Sequence, residues 1–158
     1  MGIVYTPPAA GGGGGVTDHG ALTGLGDDDH SAVYATIADG TYETLVVACS
    51  DESTAIDSTG TKATFRMPYA MTVAAVRASL NSACATGTFT VDINEAGTSI
   101  LSTKLTIDAT EETSTTAAAA AVISDSALAD DAEITVDVDD VGDSTATGLK
   151  VALIGTRA

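Results

Sequence analysis

The imidazoles of His19 and His30 flank the acidic run Asp27-Asp28-Asp29, and these groups bind metal ions in many proteins. If three copies of the chain met on a symmetry axis, each would present a His or an Asp to a shared ion. The sequence contains no intrachain ligand set of the usual spacing. We therefore favour turn and capping roles for these side chains, and we predict neither a metal nor another cofactor.

A second oxygen-rich stretch has the sequence Asp137-x-Asp139-Asp140-x-Gly142-Asp143. It has the composition of a calcium-binding loop, but it lacks the spacing and the closing Glu of an EF-hand. We interpret it as a solvated turn.

Catalytic signatures are absent from the sequence: it has no Gly-x-Ser-x-Gly elbow, no phosphate-binding glycine loop with Lys and no His-Glu-x-x-His. Paired acids such as Glu111-Glu112 and Asp130-Asp131 indicate solvated loops, so we expect no enzymatic activity. Cys49 and Cys84 lie in apolar surroundings, which favours buried free thiols over a disulfide or a metal pair.

The charge of the chain excludes several classes of partner. Its 158 residues contain 22 acidic and only six basic residues, for a net charge of −16. Binding to nucleic acid or to an anionic membrane needs clustered cations, so we expect neither partner. We also expect no membrane span and no secretory signal. The scattered basic residues are Lys62, Arg66, Arg77, Lys104, Lys150 and Arg157.

Composition divides the chain into three segments. Residues 1–15 form an extended glycine-rich arm, in which Pro7, Pro8 and five consecutive glycines rule out a core. Residues 16–40 form a connector with a short helical turn, and residues 41–158 form the main domain. We expect the arm to become ordered on a partner, through Ile3, Val4, Tyr5 and the two prolines.

Period-two alternation predicts half-buried antiparallel strands in the main domain. About eight short strands, with turns at regular spacing, indicate an all-β antiparallel sandwich or jelly roll. Asn94 to Gly97 is predicted to be a hairpin turn. The alternating runs have as their inward residues Phe89, Val91 and Ile93; Leu101, Leu105 and Ile107; Ile134, Val136 and Val138; and Leu149, Val151 and Leu153. Further strand candidates are 42–48, 63–67, 72–80 and 121–124, and 117–121 is predicted to be a crossing segment.

Residues 17–30, Thr-Asp-His-Gly-Ala-Leu-Thr-Gly-Leu-Gly-Asp-Asp-Asp-His, resemble a motif of fibre, spike and head-decoration proteins of tailed bacteriophages. Ser31-Ala32-Val33-Tyr34 departs from the usual Pro-Gln-Tyr ending. Stretches at 65–69, 92–108 and 148–151 also resemble the C-terminal β domains of such proteins. The resemblance implies attachment and stabilisation, often in trimers. It implies a connector joint formed by Asp18, His19, Leu22, Gly24, Leu25, Asp27, Asp28, Asp29 and His30.

These observations together predict a virion structural protein on the outer surface of the capsid. We expect a capsid decoration or cement protein, or a short head fibre, that binds the major capsid protein and forms a homotrimer. The alternative is a tail fibre or adhesin module that binds a host glycan. Exposed aromatic side chains usually form glycan sites, and this chain has only four Tyr and two Phe.

Overall fold

The computed structural model describes residues 42–158, and these belong to one compact unit, Ile37–Ala158. The arm and the connector lie outside the described residues. The described part is all-β with no helix, as predicted. Its strands are β1 (Glu43–Ala48), β2 (Gly60–Arg66), β3 (Met71–Ser79), β4 (Phe89–Glu95), β5 (Thr98–Ser99), β6 (Leu101–Thr103), β7 (Leu105–Ile107), β8 (Val122–Ile123), β9 (Ala127–Leu128), β10 (Glu133–Val141) and β11 (Lys150–Arg157).

The strands form two antiparallel sheets and one small ribbon. Sheet A has the order β1-β11-β3-β9. Sheet B has the order β2-β10-β4-β5, and β7 also pairs with β4. The ribbon consists of β6 and β8. The chain therefore crosses between the two sheets repeatedly, since β1 and β3 lie in sheet A while β2 and β4 lie in sheet B.

The core lies on the inward faces of these strands, and the predicted alternation of β4, β10 and β11 is confirmed. The side chains of Phe89, Ile93 and Ile134 have no exposed surface. A single cluster joins residues of both sheets, including Met71 and Leu153. Aliphatic side chains supply most of this cluster, which accords with a sequence poor in aromatic residues.

The short strands differ from the prediction of a single run over 101–107. Leu101, Leu105 and Ile107 are all buried, but Leu101 lies in β6, and the other two lie in β7. The run is interrupted at Lys104, where the pairing partner changes from β8 to β4, and the side chain of Lys104 contacts two carboxylates of sheet B. The described residues contain eleven strands rather than about eight, because they include such short segments.

The hairpin turn predicted at Asn94 to Gly97 is confirmed. Ala96 and Gly97 form a two-residue hairpin loop between β4 and β5, with φ angles of 48° and 81°. Two residues with positive φ are typical of a type I′ turn, whose twist matches that of the flanking strands. Residues 117–121 form the last part of the connection between β7 and β8, which spans 108–121 and contains no helix, as expected of a crossing segment.

Candidate interaction surface

The outer face of sheet B carries carboxylates. Inward residues of β4 and β10 alternate with outward polar ones, and register places Asp92 directly opposite Asp137. Asp139 and Asp140 follow on β10, where the pairing with β4 shifts between Val138 and Asp140. Two carboxylates directly opposite each other repel, so their neighbours must compensate for the charge.

Lys104 supplies part of this compensation. Its ammonium group lies 3.1 Å from Oδ2 of the buried Asp92 and also contacts Asp139. Hydrogen bonds to Asp139 and then to Asp92 raise the pKa of Lys104. Oδ1 of Asp92 accepts hydrogen bonds from the Ser99 hydroxyl at 2.6 Å and from the backbone N–H of Ile93 at 2.8 Å.

The negative charge of Asp137 is compensated less completely than that of Asp92. Its Oδ2 accepts a hydrogen bond from the side-chain amide of Asn94 at 2.9 Å. Its Oδ1 is buried without a hydrogen-bond partner among the described residues. The outer face of sheet B is thus a polar network around two neighbouring acids.

The structure corrects the interpretation of 137–143 as one solvated turn. Asp137, Asp139 and Asp140 belong to strand β10, and only the residues from Gly142 onwards form the turn. Their carboxylates also diverge: Asp140 accepts from the N–H of Gly142, whereas Asp143 accepts from backbone N–H groups of the 85–86 loop. Within residues 42–158, no three His, Cys, Asp or Glu side chains are placed to hold a metal ion.

The outer face of sheet A is different, because none of the outward side chains on β1, β3 or β11 is acidic. Register sets Val46 beside Ala152, and Ala152 beside Arg77. Val46 is 60% exposed. We call this surface the acid-free face; its outward residues are Thr44, Val46, Ala48, Thr72, Ala75, Arg77, Ser79, Lys150, Ala152, Ile154 and Thr156.

Two cations lie on the acid-free face, and they differ in their partners. Lys150 forms an ion pair at 2.8 Å with Glu52, which reaches it from the loop after β1. Arg77 has no carboxylate partner among the described residues, although Arg66 and Arg157 each have one. In a chain with this excess of acids, an unpaired arginine on a largely apolar face indicates a contact surface.

Arg77 also lies between two open cavities. One, of about 590 Å³, is bounded by β3 and by residues 114–123. The other, of about 320 Å³, is bounded by β1, β3, β11 and residues 113–115. Small side chains and hydroxyl groups line both, so the face is grooved rather than flat.

The sequence-predicted sites fall mostly outside the described residues. These are the arm residues Ile3, Val4, Tyr5, Pro7 and Pro8, and the connector residues Asp18, His19, Leu22, Leu25, Asp27, Asp28, Asp29 and His30. The acid-free face was not predicted. Its signal in the sequence is that the outward positions of β1 and β11, such as Val46 and Ile154, carry no acid.

Both cysteines are buried free thiols, as predicted. Burial raises the pKa of Cys49 to about 11. Burial, and then the negative charge of Asp143, raise the pKa of Cys84. Neither thiol is activated as a nucleophile would be.

No family model, curated protein or solved structure matches this chain. The resemblance of residues 17–30 to phage virion proteins therefore stays a prediction. Among the described residues, no helix is long and apolar enough to cross a membrane.

Proposed function

We propose that this chain is a capsid decoration or cement protein, or a short head fibre, of a tailed bacteriophage. It attaches to the major capsid protein through its arm and displays the β domain on the outer surface of the capsid as a homotrimer. The motif at 17–30 supports the virion assignment, and the connector residues Asp18 to His30 form the joint between arm and domain in this proposal.

The observation that carries the proposal is the segregation of charge between the two sheets. Asp139 and Asp140 are exposed on β10 of sheet B, whereas the outward residues of the three long strands of sheet A include no acid. Such a domain has one face suited to contact and one suited to solvent. An acidic exterior also suits the outside of a capsid rather than its DNA-filled interior.

The strand order supports a jelly roll as the finer description of the sandwich. If the β6–β8 ribbon is set aside and β5 and β7 are taken as two parts of one strand, eight strands remain, in two sheets ordered β1-β11-β3-β9 and β2-β10-β4-β5/β7. The first four strands alternate between the sheets, and the last two return beside them. Two nested Greek keys, the arrangement of double-sheet jelly rolls such as viral capsid domains, would give this connectivity.

The arm supplies the attachment in this proposal. Its glycines lose conformational entropy on docking, and backbone hydrogen bonds with apolar contacts from Ile3, Val4 and Tyr5 offset that loss. Deleting residues 1–15 should abolish capsid association while leaving the β domain folded. Full capsid binding by the deleted chain would contradict attachment through the arm.

The proposal is tested by the copy number of the chain in purified particles. Quantitative gel analysis against the major capsid protein should give on the order of hundreds of copies, because a decoration protein follows the capsid lattice. A handful of copies would overturn the proposal and favour the tail-fibre alternative. In that case, a phage mutant that lacks this protein should also lose adsorption to its host.

A further inference from the structure

Strand β3 has a gap in its pairing on the edge side of sheet A. Its start pairs with β9 at Met71 and Thr72, and the N–H of Val73 donates to the carbonyl of Ser126. Its end contacts another segment, where Ser79 forms a bridge with Thr113. The four residues between, 74–77, have no neighbouring strand on that side in the described structure. We call this gap the β3 notch; it is about 13 Å long, the span of four extended residues.

Backbone groups of Val76 point into the β3 notch. On this side of the strand, Ala78 donates its N–H to the Ser114 hydroxyl and accepts from the N–H of Ser114. Residues two apart in an extended strand direct their N–H and C=O groups to the same side. Val76 therefore offers a donor and an acceptor there, and open sheet edges of this kind pair with added strands.

The walls of the β3 notch differ between its inner and outer sides. The inner side contains Leu105, Ala121 and Ile123, which border the 590 Å³ cavity and belong to or pack against the core. The outer side carries Arg77, which has no carboxylate partner in the described structure. An added strand would thus place an apolar side chain inward, opposite Val76, and an acidic side chain outward, opposite Arg77.

We infer that the β3 notch binds a short extended segment of a partner protein, in which apolar and acidic residues alternate. Main-chain hydrogen bonds to Val76 would supply affinity, and the cation of Arg77 with the apolar inner wall would supply specificity. Charge complementarity indicates that the bound segment is acidic on its outward side. Arg77 is a cation on a face whose strands carry no acid, so an acidic side chain of the partner would pair with it. The inference does not depend on the proposed function, since it needs only the geometry of this edge.

The test uses the full chain and a fluorescent, end-capped tetrapeptide, Asp-Val-Asp-Val, measured by fluorescence anisotropy near 0.15 M salt. Antiparallel to β3, it spans the four residues of the β3 notch, with its first Asp opposite Arg77 and its first Val opposite Val76. We expect saturable binding in the millimolar range or tighter. Arg77→Gln should weaken it about tenfold, since a charge-assisted hydrogen bond is lost. Arg66→Gln is the matched control: that arginine lies on the opposite sheet, and its loss should leave the peptide affinity unchanged.

Two further variants separate strand addition from simple charge attraction. A peptide methylated on the backbone nitrogen of the valine that faces Val76 should bind at least tenfold more weakly. Ala120→Trp, at an exposed position of the cavity wall, should block binding while circular dichroism and the unfolding midpoint stay unchanged. No saturable binding by the wild type, or equal binding by Arg77→Gln, would overturn the inference. Equal binding of the methylated peptide would overturn strand addition.

Discussion

Lys104 is the residue on which the compensation of the buried Asp92 depends. The carboxylate side chain of Asp92 is only 8% exposed, and Lys104 is its cationic partner at 3.1 Å. We expect Lys104→Met to lower the free energy of unfolding by about 1–2 kcal/mol, because a nearly buried charge loses its partner while Lys104 itself is partly solvated. Urea unfolding at neutral pH measures this change.

The matched control is Lys62→Met on strand β2, whose ammonium group bonds only to the exposed Ser58 hydroxyl among residues 42–158. Its effect should stay within about 0.5 kcal/mol. If both variants were equally stable, the ion pair with Asp92 would contribute nothing beyond an ordinary surface contact.

Asp51 makes the loop after β1 sensitive to acid. Backbone N–H groups of Thr54 and then Ser53 donate to its carboxylate and lower its pKa from 3.8 to about 2. Because the folded-state pKa is lowered, the stabilisation is present above about pH 4 and is lost as pH falls towards 2. Wild type should therefore exceed Asp51→Asn in unfolding midpoint at pH 6, and the difference should shrink by pH 2. A difference that stayed constant over that range would contradict this role.

At the scale of secondary-structure elements, substitutions of two glycines distinguish the cost of backbone strain from the cost of a steric clash. Gly97 has a positive φ in the β4–β5 hairpin, but a Cβ there would meet no atom within 4 Å. A Cβ on Gly155 in β11 would lie 2.1 Å from the carbonyl oxygen of Thr72, across the register shift between β11 and β3. We expect Gly97→Ala to cost about 1–2 kcal/mol, from strain alone.

Gly155→Ala should cost more than 3 kcal/mol or prevent folding, since the backbone of β3 must move. Chemical denaturation of both variants, side by side, measures the ranking. The reverse order, with Gly97→Ala the more damaging, would show that the close approach of β11 to β3 relaxes easily.

Alternation made the long strands predictable and left the short ones unpredicted. Ile134, Val136 and Val138 lie on the buried side of β10. A strand with one buried face requires this spacing, because side chains two residues apart point to the same face. Strand β9, with only Ala127 and Leu128, has too few residues to show a period. Its position depends on pairing with β3, a tertiary contact that local sequence does not encode.

The candidate surface could be predicted only in part for the same reason. That Val46 and Ile154 are outward and uncharged follows from parity within each strand. That Arg77 lies in the row with Val46 and Ala152 follows from the register of three strands far apart in sequence. Single-strand patterns cannot supply that register, so the acid-free face becomes visible only in the folded sheet.

At the scale of the whole molecule, charge decides how copies meet. Each copy carries a net charge of −16, so copies that associate repel one another unless their contact surfaces are depleted of acid. The acid-free face lacks acids and the chain has few cations, so repulsion between copies should control their association. The salt concentration, which screens this repulsion, is therefore the variable to change. Raising NaCl from 0.01 M to 1 M shortens the screening length from about 30 Å to about 3 Å.

We therefore expect the proposed homotrimer, at three times 15.6 kDa, to be favoured as salt increases. Analytical ultracentrifugation across this range measures the trimer fraction. If the connector is the joint, replacing Asp27, Asp28 and Asp29 together by Asn should raise the trimer fraction at low salt, because three repelling charges per copy are removed there. A trimer that dissociated as salt rose would instead mean that contacts between opposite charges hold the copies together. A monomer at every salt concentration would contradict the trimer itself.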